Sequence, residues 1–562
     1  MVYALESKKN DCKNCYKCIR GCPTKSISFS NNQASIIHDD CILCGRCFLA
    51  CPQEAKQIRN DTELVKNLIK SNSKVIVSMA PAFIGNYKDV SFDTMKKALK
   101  QLGFYNAEET AIGATIVKKA YDEILSHDDR DVVISTCCHA VNLLVQKHFP
   151  DLVGCLADVL SPMLAHGKDI KERYPGAKVV FIGPCIAKKD EVDNDQNHYV
   201  DACLTFIELD NWLKEQNIVL EKEQNIAKIE ESKARLFPIA GGILKTMSCS
   251  NKNYDYLVVD GIYNCISALK DIKNGNIHKC FIEMSSCPGS CINGPATSID
   301  KHTFIEGYIA VSHNAGNKDF SVSEMTYSEI HHPFHKINLV HAEPSEEDIE
   351  KALKEMGKTS KDKQLNCGSC GYNTCRDKAC AIIEGKAVKE MCLPYLMEKA
   401  QSFSNNIVYN TPNGLMVLDE NLNIQLMNKA MLSLLEIKSK EYIIGKSVTT
   451  ILEPDLYALS LSGETIKAKK QYLAEYDKYV EETIIHDSKF HIIISIMRDI
   501  TEEQKAVIKR NELFKKSVDI TNNVIEKNMR TVQEIASLLG ESAAETKVAL
   551  SSLKDTFEND SK

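Results

Sequence analysis

Between residues 74 and 315, short β-branched runs alternate with stretches of helical character: KVIVSMAPA, DVVISTCC, KVVFIGPC, YLVVDGI and KCFIEMSSC mark the strands. That alternation predicts βα units around a largely parallel sheet. Upstream, residues 10–58 are short of helical periodicity. Downstream, 316–345 carries several histidines and few turn signals and reads as a connector. Residues 405–502 alternate apolar and polar positions in short strands around a helical middle. The last stretch, 503–562, spaces apolar residues three and four apart among Glu, Lys and Ala, which predicts a helix. The chain divides on this reading at 1–60, 61–315, a connector at 316–355, 356–400, 401–502 and 503–562.

A chain of 562 residues needs several cores, since single cores rarely outgrow a few hundred residues. Its net charge of −7 is spread along the chain and offers no basic surface to a nucleic acid. No apolar run approaches the ~18–20 residues that span a bilayer, and MVYALESKKNDC has no apolar core of signal-peptide length. A cytoplasmic protein with no membrane partner is expected. In that compartment 23 cysteines read as metal ligands rather than disulfides.

Spacing selects the metal. Cys12, Cys15, Cys18 and Cys22 precede Pro23, and Cys41, Cys44, Cys47 and Cys51 precede Pro52. Each is the C-x2-C-x2-C-x3-C-P run of two-cluster ferredoxins, in which the fourth cysteine serves the other cluster. Cys12, Cys15, Cys18 and Cys51 would hold one 4Fe–4S cluster, and Cys41, Cys44, Cys47 and Cys22 the second. A zinc module is the alternative, though tetrahedral zinc usually takes cysteines two plus two. A second set is dispersed over STCCHA (135–140), GPCIAKKDE (183–191) and SSCPGSC (285–291), each after a predicted strand. Strand C-terminal ends converge in α/β folds, so these cysteines can meet.

These three segments, with MAPA at 79–82, resemble the catalytic domain of iron-only (FeFe) hydrogenases, whose signatures run TSCCP, MPCxxKxxE and ExMxCPGGC. The resemblance covers roughly residues 1–310. It implies that Cys138, Cys185, Cys287 and Cys291 hold a 4Fe–4S cluster, with Cys291 bridging to a di-iron subcluster bearing CO, cyanide and an azadithiolate. Lys188 would hydrogen-bond a cyanide. Ala80, Pro81 and Pro184 would line the group, and Cys137 would relay protons. The departures are Gly183 for the family's Met before Pro-Cys, Ser285 for the Met of ExMxC, Ser290 in CPGSC and His139 for proline. TIVKKAYDE, with Ala120 and Tyr121, stands where the family usually places acidic proton-path residues. Slow turnover is the expected consequence.

Cys367, Cys370, Cys375 and Cys392 resemble the CGxCGxxxC…C module of an additional 4Fe–4S cluster, with zinc again the alternative. The cysteines at 155, 203, 249, 265, 280 and 380 read as packing. Residues 401–502 resemble a PAS domain through Asp419, Asn428 and the Asp499–Thr501 triplet. The tail resembles the start of a kinase dimerisation helix but contains no histidine. The expected fold class is therefore multidomain α/β and α+β: ferredoxin-like Fe–S domain, FeFe-hydrogenase α/β domain, small Fe–S module, PAS domain and C-terminal helix. The order resembles the sensory iron-only hydrogenases. It implies H2 and protons as reactants, an electron carrier, hydrogenase maturation proteins, a downstream kinase or phosphatase, and a homodimer through the PAS domain and helix. A metabolic ferredoxin-linked hydrogenase and a non-catalytic Fe–S assembly factor are the rival readings.

Overall fold

The structure, a computed structural model, describes residues 3–8, 11–72, 74–127, 130–223, 229–297, 303–323, 325–339 and 344–559. The chain separates into two units, Met1–Leu396 and Met397–Lys562. No helix among the described residues is long and apolar enough to cross a membrane.

The first unit opens with strands β1 (Leu5–Ser7), β2 (Ile27–Ser30), β3 (Gln33–Ile36) and β4 (Lys56–Ile58). β1 pairs antiparallel with β4, and β2 with β3. There follow β5 (Val75–Met79), β6 (Asn106–Glu109), β7 (Val132–Ile134), β8 (Lys178–Gly183), β9 (Ala202–Thr205), β10 (Asp255–Asp260) and β11 (Cys280–Ser285). All their pairings are parallel, but they form two sheets: β6-β5-β8-β9 and β10-β11-β7. β5 and β11 are buried at every position, as parallel strands covered on both faces must be. β6 reads NAEE, with no β-branched residue, and only its place beside β5 makes it a strand.

The helix Ala111–His127 crosses the helix Pro162–Arg173 at Gly113. A Cβ there would meet the Pro162 carbonyl oxygen at 2.2 Å and the His166 nitrogen at 2.7 Å. The close approach requires glycine. It sets His166, wholly buried, behind β5 and β6.

Beside it, burial alone would raise the Glu108 carboxyl, but His166 and Arg173 outweigh it and hold the pKa at about 2. A depressed carboxyl stabilises the fold fully above its unfolded pKa and loses that contribution as pH falls toward the folded value. Between pH 4.5 and 2 the wild type should therefore lose roughly 3 kcal/mol that Glu108→Gln never had. Denaturant titrations at stepped pH measure it, and parallel pH profiles for the two proteins would contradict the pairing.

Within the stretch read as a connector, residues 330–337 run along the domain: Leu160 N–H donates to the Ile330 carbonyl (2.9 Å), His332 N–H to Asp158 (2.9 Å) and Ile337 N–H to Gln146 (3.0 Å). The helix Glu346–Glu355, in the same stretch, packs Ile349, Ala352, Leu353 and Met356 on Ala379 of the helix Cys375–Ile383. It belongs with the cysteine module.

The second unit is a five-stranded antiparallel sheet of β12 (Gly414–Asp419), β13 (Ile424–Met427), β14 (Ile466–Leu473), β15 (Lys478–Asp487) and β16 (Ile492–Asp499), in the order β13-β12-β16-β15-β14. Buried Asn428 caps the helix Lys429–Leu434 through Met431 N–H (2.8 Å) and donates to the Val408 and Asn413 carbonyls, both at 2.9 Å. Asp419 holds the β12–β13 turn by accepting from Asn421 and Asn423. Asp499 accepts from Thr501 N–H at 2.9 Å, and the Thr501 hydroxyl oxygen accepts from Tyr479 N–H at 3.0 Å. A helix then runs from Thr501 to Asn559, exposed almost throughout its described side chains.

Candidate metal centres

The doubled cysteine motif is doubled in space. Cys22 and Cys51 each end a five-residue helix, Lys17–Gly21 and Arg46–Ala50. Positive φ recurs at matching positions: Asn14 and Leu43, Tyr16 and Gly45, Lys25 and Glu54. These reversals turn backbone N–H groups onto sulfur: Ser26 N–H to Cys22 Sγ and Ala55 N–H to Cys51 Sγ, both at 3.3 Å. Burial first, then neighbouring thiols, pushes Cys41 up to about 11 and Cys44 to about 12. Crowded buried thiols of this kind gain nothing from one another; a cationic group that takes their thiolates compensates both burial and repulsion.

The dispersed set meets at strand ends. Cys137 and Cys138 follow β7, Cys185 follows β8, Cys287 follows β11, and Cys291 sits in the 3-10 turn Ser290–Asn293. One cavity is lined by all five, by Lys188, by Ala80 and Pro81 after β5, and by Pro184; Thr110, Met163, Phe181 and Phe237 add to its walls. The hydroxyl of Ser286 lies 3.7 Å from Cys138 Sγ and 3.9 Å from Cys287 Sγ. Burial raises Cys185 to about 11 and Cys291 to about 12, with Cys138 adding to both, and it raises Cys287 well above the ordinary thiol value. Four sulfur donors around one cavity, with the Cys185, Cys287 and Cys291 thiols raised by burial, suit a cationic iron–sulfur cluster.

The turn that carries Cys287 and Cys291 is strained into place. Gly289 and Ser290 both have positive φ (78° and 69°), Gly289 N–H donates to Asp260 at 2.6 Å, and Ser290 N–H donates to the Cys287 carbonyl at 2.9 Å. A Cβ at Gly289 would lie 2.0 Å from the Phe304 ring. Gly289→Ala should cost about 1–2 kcal/mol from the left-handed backbone alone, read as a lowered melting temperature with reduced iron; an unchanged melt would contradict the turn as described.

Several side chains around the cavity are paired. Lys188 is buried and bonded to Glu191; burial works against its charge, but Glu191, Cys185 and Cys137 outweigh it and raise its pKa. His139 Nε2 meets Asp190 at 2.9 Å. Cys137 Sγ lies 3.3 Å from the Tyr121 hydroxyl, which accepts from Thr136 N–H at 2.9 Å. Burial, against Tyr121 and Lys188, pushes Cys137 up to about 12. Gly183 is explained by its neighbour: a Cβ there would strike the Phe181 ring at 2.7 Å, so phenylalanine fills the space of the missing side chain.

Residues 73–295 match the family described as iron only hydrogenase large subunit, C-terminal domain. Over this stretch, a hydrogenase-type domain, the chain is similar to the iron-only hydrogenases. Residues 4–52 match a 4Fe-4S dicluster domain, and 364–394 match an Fe-S cluster family. Among solved structures, a variant of FeFe-hydrogenase HydA1 from Chlamydomonas reinhardtii is 15% identical, covering 50% of this chain and 100% of that one at a TM-score of 0.40. A structure describing stepwise H-cluster assembly in HydA is 17% identical, covering 45% and 88%, at 0.36. The PAS domain of nitrogen regulation protein NR(II) from Vibrio parahaemolyticus is 22% identical, covering 17% and 97%, at 0.15. A search of curated proteins gives no match.

The hydrogenase-type domain touches the dicluster segment through a glycine. A Cβ at Gly45, between Cys44 and Cys47, would lie 2.4 Å from Pro295 and 3.0 Å from Ile186, the residue after Cys185. The third cysteine set is seated on the other ferredoxin-type half. Cys367, Cys370, Cys375 and Cys392 line one cavity, and Cys380 is not among its walls. Arg20 donates to the Ser369 carbonyl (2.9 Å), Lys25 to the Gly371 carbonyl (2.8 Å), and a Cβ at Gly371 would strike Ile19 at 2.8 Å. Of the cysteines read as packing, Cys203, Cys265 and Cys280 are buried in the cores.

Proposed function

We propose that this protein is an H2-responsive iron-only hydrogenase of low turnover whose redox state is passed to a PAS-type unit. The observation that carries the reading is the single cavity that gathers Cys137, Cys138, Cys185, Lys188, Cys287 and Cys291 from three strand ends. Cys138, Cys185, Cys287 and Cys291 would hold the cubane, with Cys291 shared to the di-iron subcluster. When bound, that subcluster with its CO, cyanide and azadithiolate ligands supplies the reversible splitting of H2 into protons and electrons. Lys188 presents a buried ammonium to anionic ligands, where low dielectric strengthens a charge-assisted bond. Ala80, Pro81 and Pro184 close the apolar end against water. Cys137 faces Tyr121, and that buried pair accounts for slow proton delivery on its side.

The three accessory clusters would lie in sequence. The half carrying Cys41, Cys44 and Cys47 abuts Cys185 through Gly45, and the half carrying Cys18 and Cys22 abuts the 367–392 module through Ile19 and Gly371. Electrons would pass along that order to a soluble carrier or to residues 401–562. An infrared spectrum of protein matured in the presence of the hydrogenase maturation proteins tests the centre. Bands of CO and cyanide that shift under H2 are expected. A spectrum without them would favour the assembly-factor reading. Output is tested by hydrogen exchange over residues 405–562, which should differ between H2-reduced and oxidised protein.

The helix Thr501–Asn559 leaves Val518, Ile525, Val532, Ile535 and Leu539 exposed at near-heptad spacing, the seam of a coiled coil. A homodimer through this helix, read by a downstream kinase or phosphatase, is the expected arrangement. Ile525→Asp with Val532→Asp should convert the dimer to monomer in light scattering; a parent protein that is monomeric at tens of micromolar would refute it.

A further inference from the structure

The cavity wall carries, besides Cys137, the polar side chain of Thr110. Its hydroxyl is 2.7 Å from the Ser78 hydroxyl, which is 2.8 Å from His166 Nδ1. The other ring nitrogen, Nε2, stands 3.5 Å from Glu108 Oε2 and makes no hydrogen bond of ordinary geometry among the described residues. Ser78 and His166 are wholly buried and Thr110 is 3 % exposed, whereas the Glu108 side chain reaches 12 % and its partner Arg173 35 %. The series therefore runs from the cavity, through the core, to the surface.

Nε2 thus faces a carboxylate across a gap longer than an ordinary hydrogen bond, and a leucine in that place would fill the core without a polar group. The charged groups around the ring are Glu108 on β6 and, on its own helix, Asp169 and Arg173. Their ligand atoms lie close enough to suggest a cation site: Glu108, His166 and Asp169 each offer one within 4.8 Å of the others. Arg173, however, already donates to Glu108 (3.2 Å) and to Asp169 (2.9 Å), and supplies the positive charge a metal would bring. What the arrangement leaves open is a proton position on Nε2. By contrast, Cys137 bonds to Tyr121, and the described bonds continue only to buried Thr136 and the Val159 carbonyl.

We propose that Thr110, Ser78, His166 and Glu108 form a proton relay between the cavity and solvent. The inference rests on the hydrogenase reading above. For a proton leaving the cavity, Thr110 accepts it and releases its own to Ser78. Ser78 releases one to His166 Nδ1, the ring releases the Nε2 proton to Glu108, and Glu108 passes it to water. Each group gains one proton and gives one, so no charge accumulates, and delivery into the cavity is the reverse. The four are positioning residues for a proton, and none touches iron. An imidazole suits the central place because its two nitrogens can take and give in one ring near neutral pH.

The test uses the full chain, matured, in the H2/D2O exchange assay that reports HD. Thr110→Val, equal in shape but without the hydroxyl, should lower HD formation about 10- to 100-fold, the range of a lost proton-transfer group, at unchanged iron content and infrared bands. Thr110→Ser should restore the rate to within about twofold, which a packing role would not. A second readout needs no iron. In full-length apoprotein labelled with 15N-histidine, with His166 identified through His166→Gln, the ring N–H should exchange with water within seconds despite complete burial. Glu108→Gln should slow that exchange at least about tenfold. A Thr110→Val protein as fast as wild type, or a ring proton that persists for hours like a core amide, would overturn the relay. Wild-type protein that forms no HD would instead defeat the hydrogenase reading, and the ring exchange still decides the route.

Discussion

Cys287→Ser is expected to remove about four irons per chain, one cubane, with the CO and cyanide bands and all H2 activity, while both ferredoxin-type clusters and the 367–392 cluster remain. The reasoning starts from the ligand's ionisation. A cluster is held by thiolate, and burial together with Cys138, Cys185 and Cys291 already makes the Cys287 thiolate costly. Iron repays that cost for sulfur. A serine alkoxide starts several units higher and cannot be reached at neutral pH in the same place. The other cysteine sets lie in separate elements and keep their own ligands, so their electron paramagnetic resonance signals should persist. Iron analysis and infrared spectra after identical maturation make the comparison, and a serine variant with full iron and CO bands would remove Cys287 from the centre. The equivalent change at Cys265, whose thiol donates to the Ser285 carbonyl at 3.3 Å just behind this turn, should cost stability and no iron.

The cysteine sets were legible because each either repeats within a dozen residues or terminates a β-branched run. Local spacing fixes the first kind, and parallel topology brings the second together, since strands that run the same way end at one edge. Asp419, Asn428 and the Asp499–Thr501 triplet were legible for the same local reason: each bonds to backbone within a few tens of residues. The parallel strands were legible as runs, but their division into two sheets was not, because nothing in a run states its neighbour. NAEE lacked any strand signal, and the helix Glu346–Glu355 lay in a stretch read as a connector although Ser345 caps it. The pairings between distant segments that surround the site were closed to sequence. Asp190 against His139 and Tyr121 against Cys137 depend on which elements the fold brings face to face, whereas Glu191 against Lys188 is an i,i+3 pair on one helix. Gly183 lacks a side chain because the Phe181 ring occupies that place.

The departures are thus not independent of one another. His139 stands where the family usually has proline and finds Asp190; Tyr121 stands in the segment that usually carries acidic residues and finds Cys137. Each of these two replacements is answered by a partner within bonding distance. A centre merely decaying would leave such buried groups unpaired, at about 1–3 kcal/mol each.

Lys189→Met should destabilise the Met1–Leu396 unit by roughly 3–5 kcal/mol, the cost of breaking a buried ion pair from one side. Lys189 is wholly buried beside Lys188 on the helix Ala187–Asp193, and its ammonium donates to Asp61 (2.8 Å), Glu208 (3.0 Å) and the Cys203 carbonyl (2.8 Å). Methionine keeps the volume and leaves two carboxylates facing each other in the core. Asp61 retains Arg59, but among the described residues Glu208 retains only neutral donors: the Asp61 and Thr205 amides and the Thr205 hydroxyl. Because Asp61 follows the dicluster segment and Cys185 lies one turn before Lys189, the loss should loosen both cluster regions together. Melting should fall by roughly 10 °C with iron lost from both. Glu208→Gln on top of Lys189→Met should recover part of the loss, since glutamine still serves the Thr205 capping box and carries no charge. If the single variant melts within about 2 °C of the parent, or the double variant is no better than the single, the Lys189 charge does not bind these segments, and apolar packing with the Arg59–Asp193 pair must hold the segment after the dicluster motif to the hydrogenase-type domain.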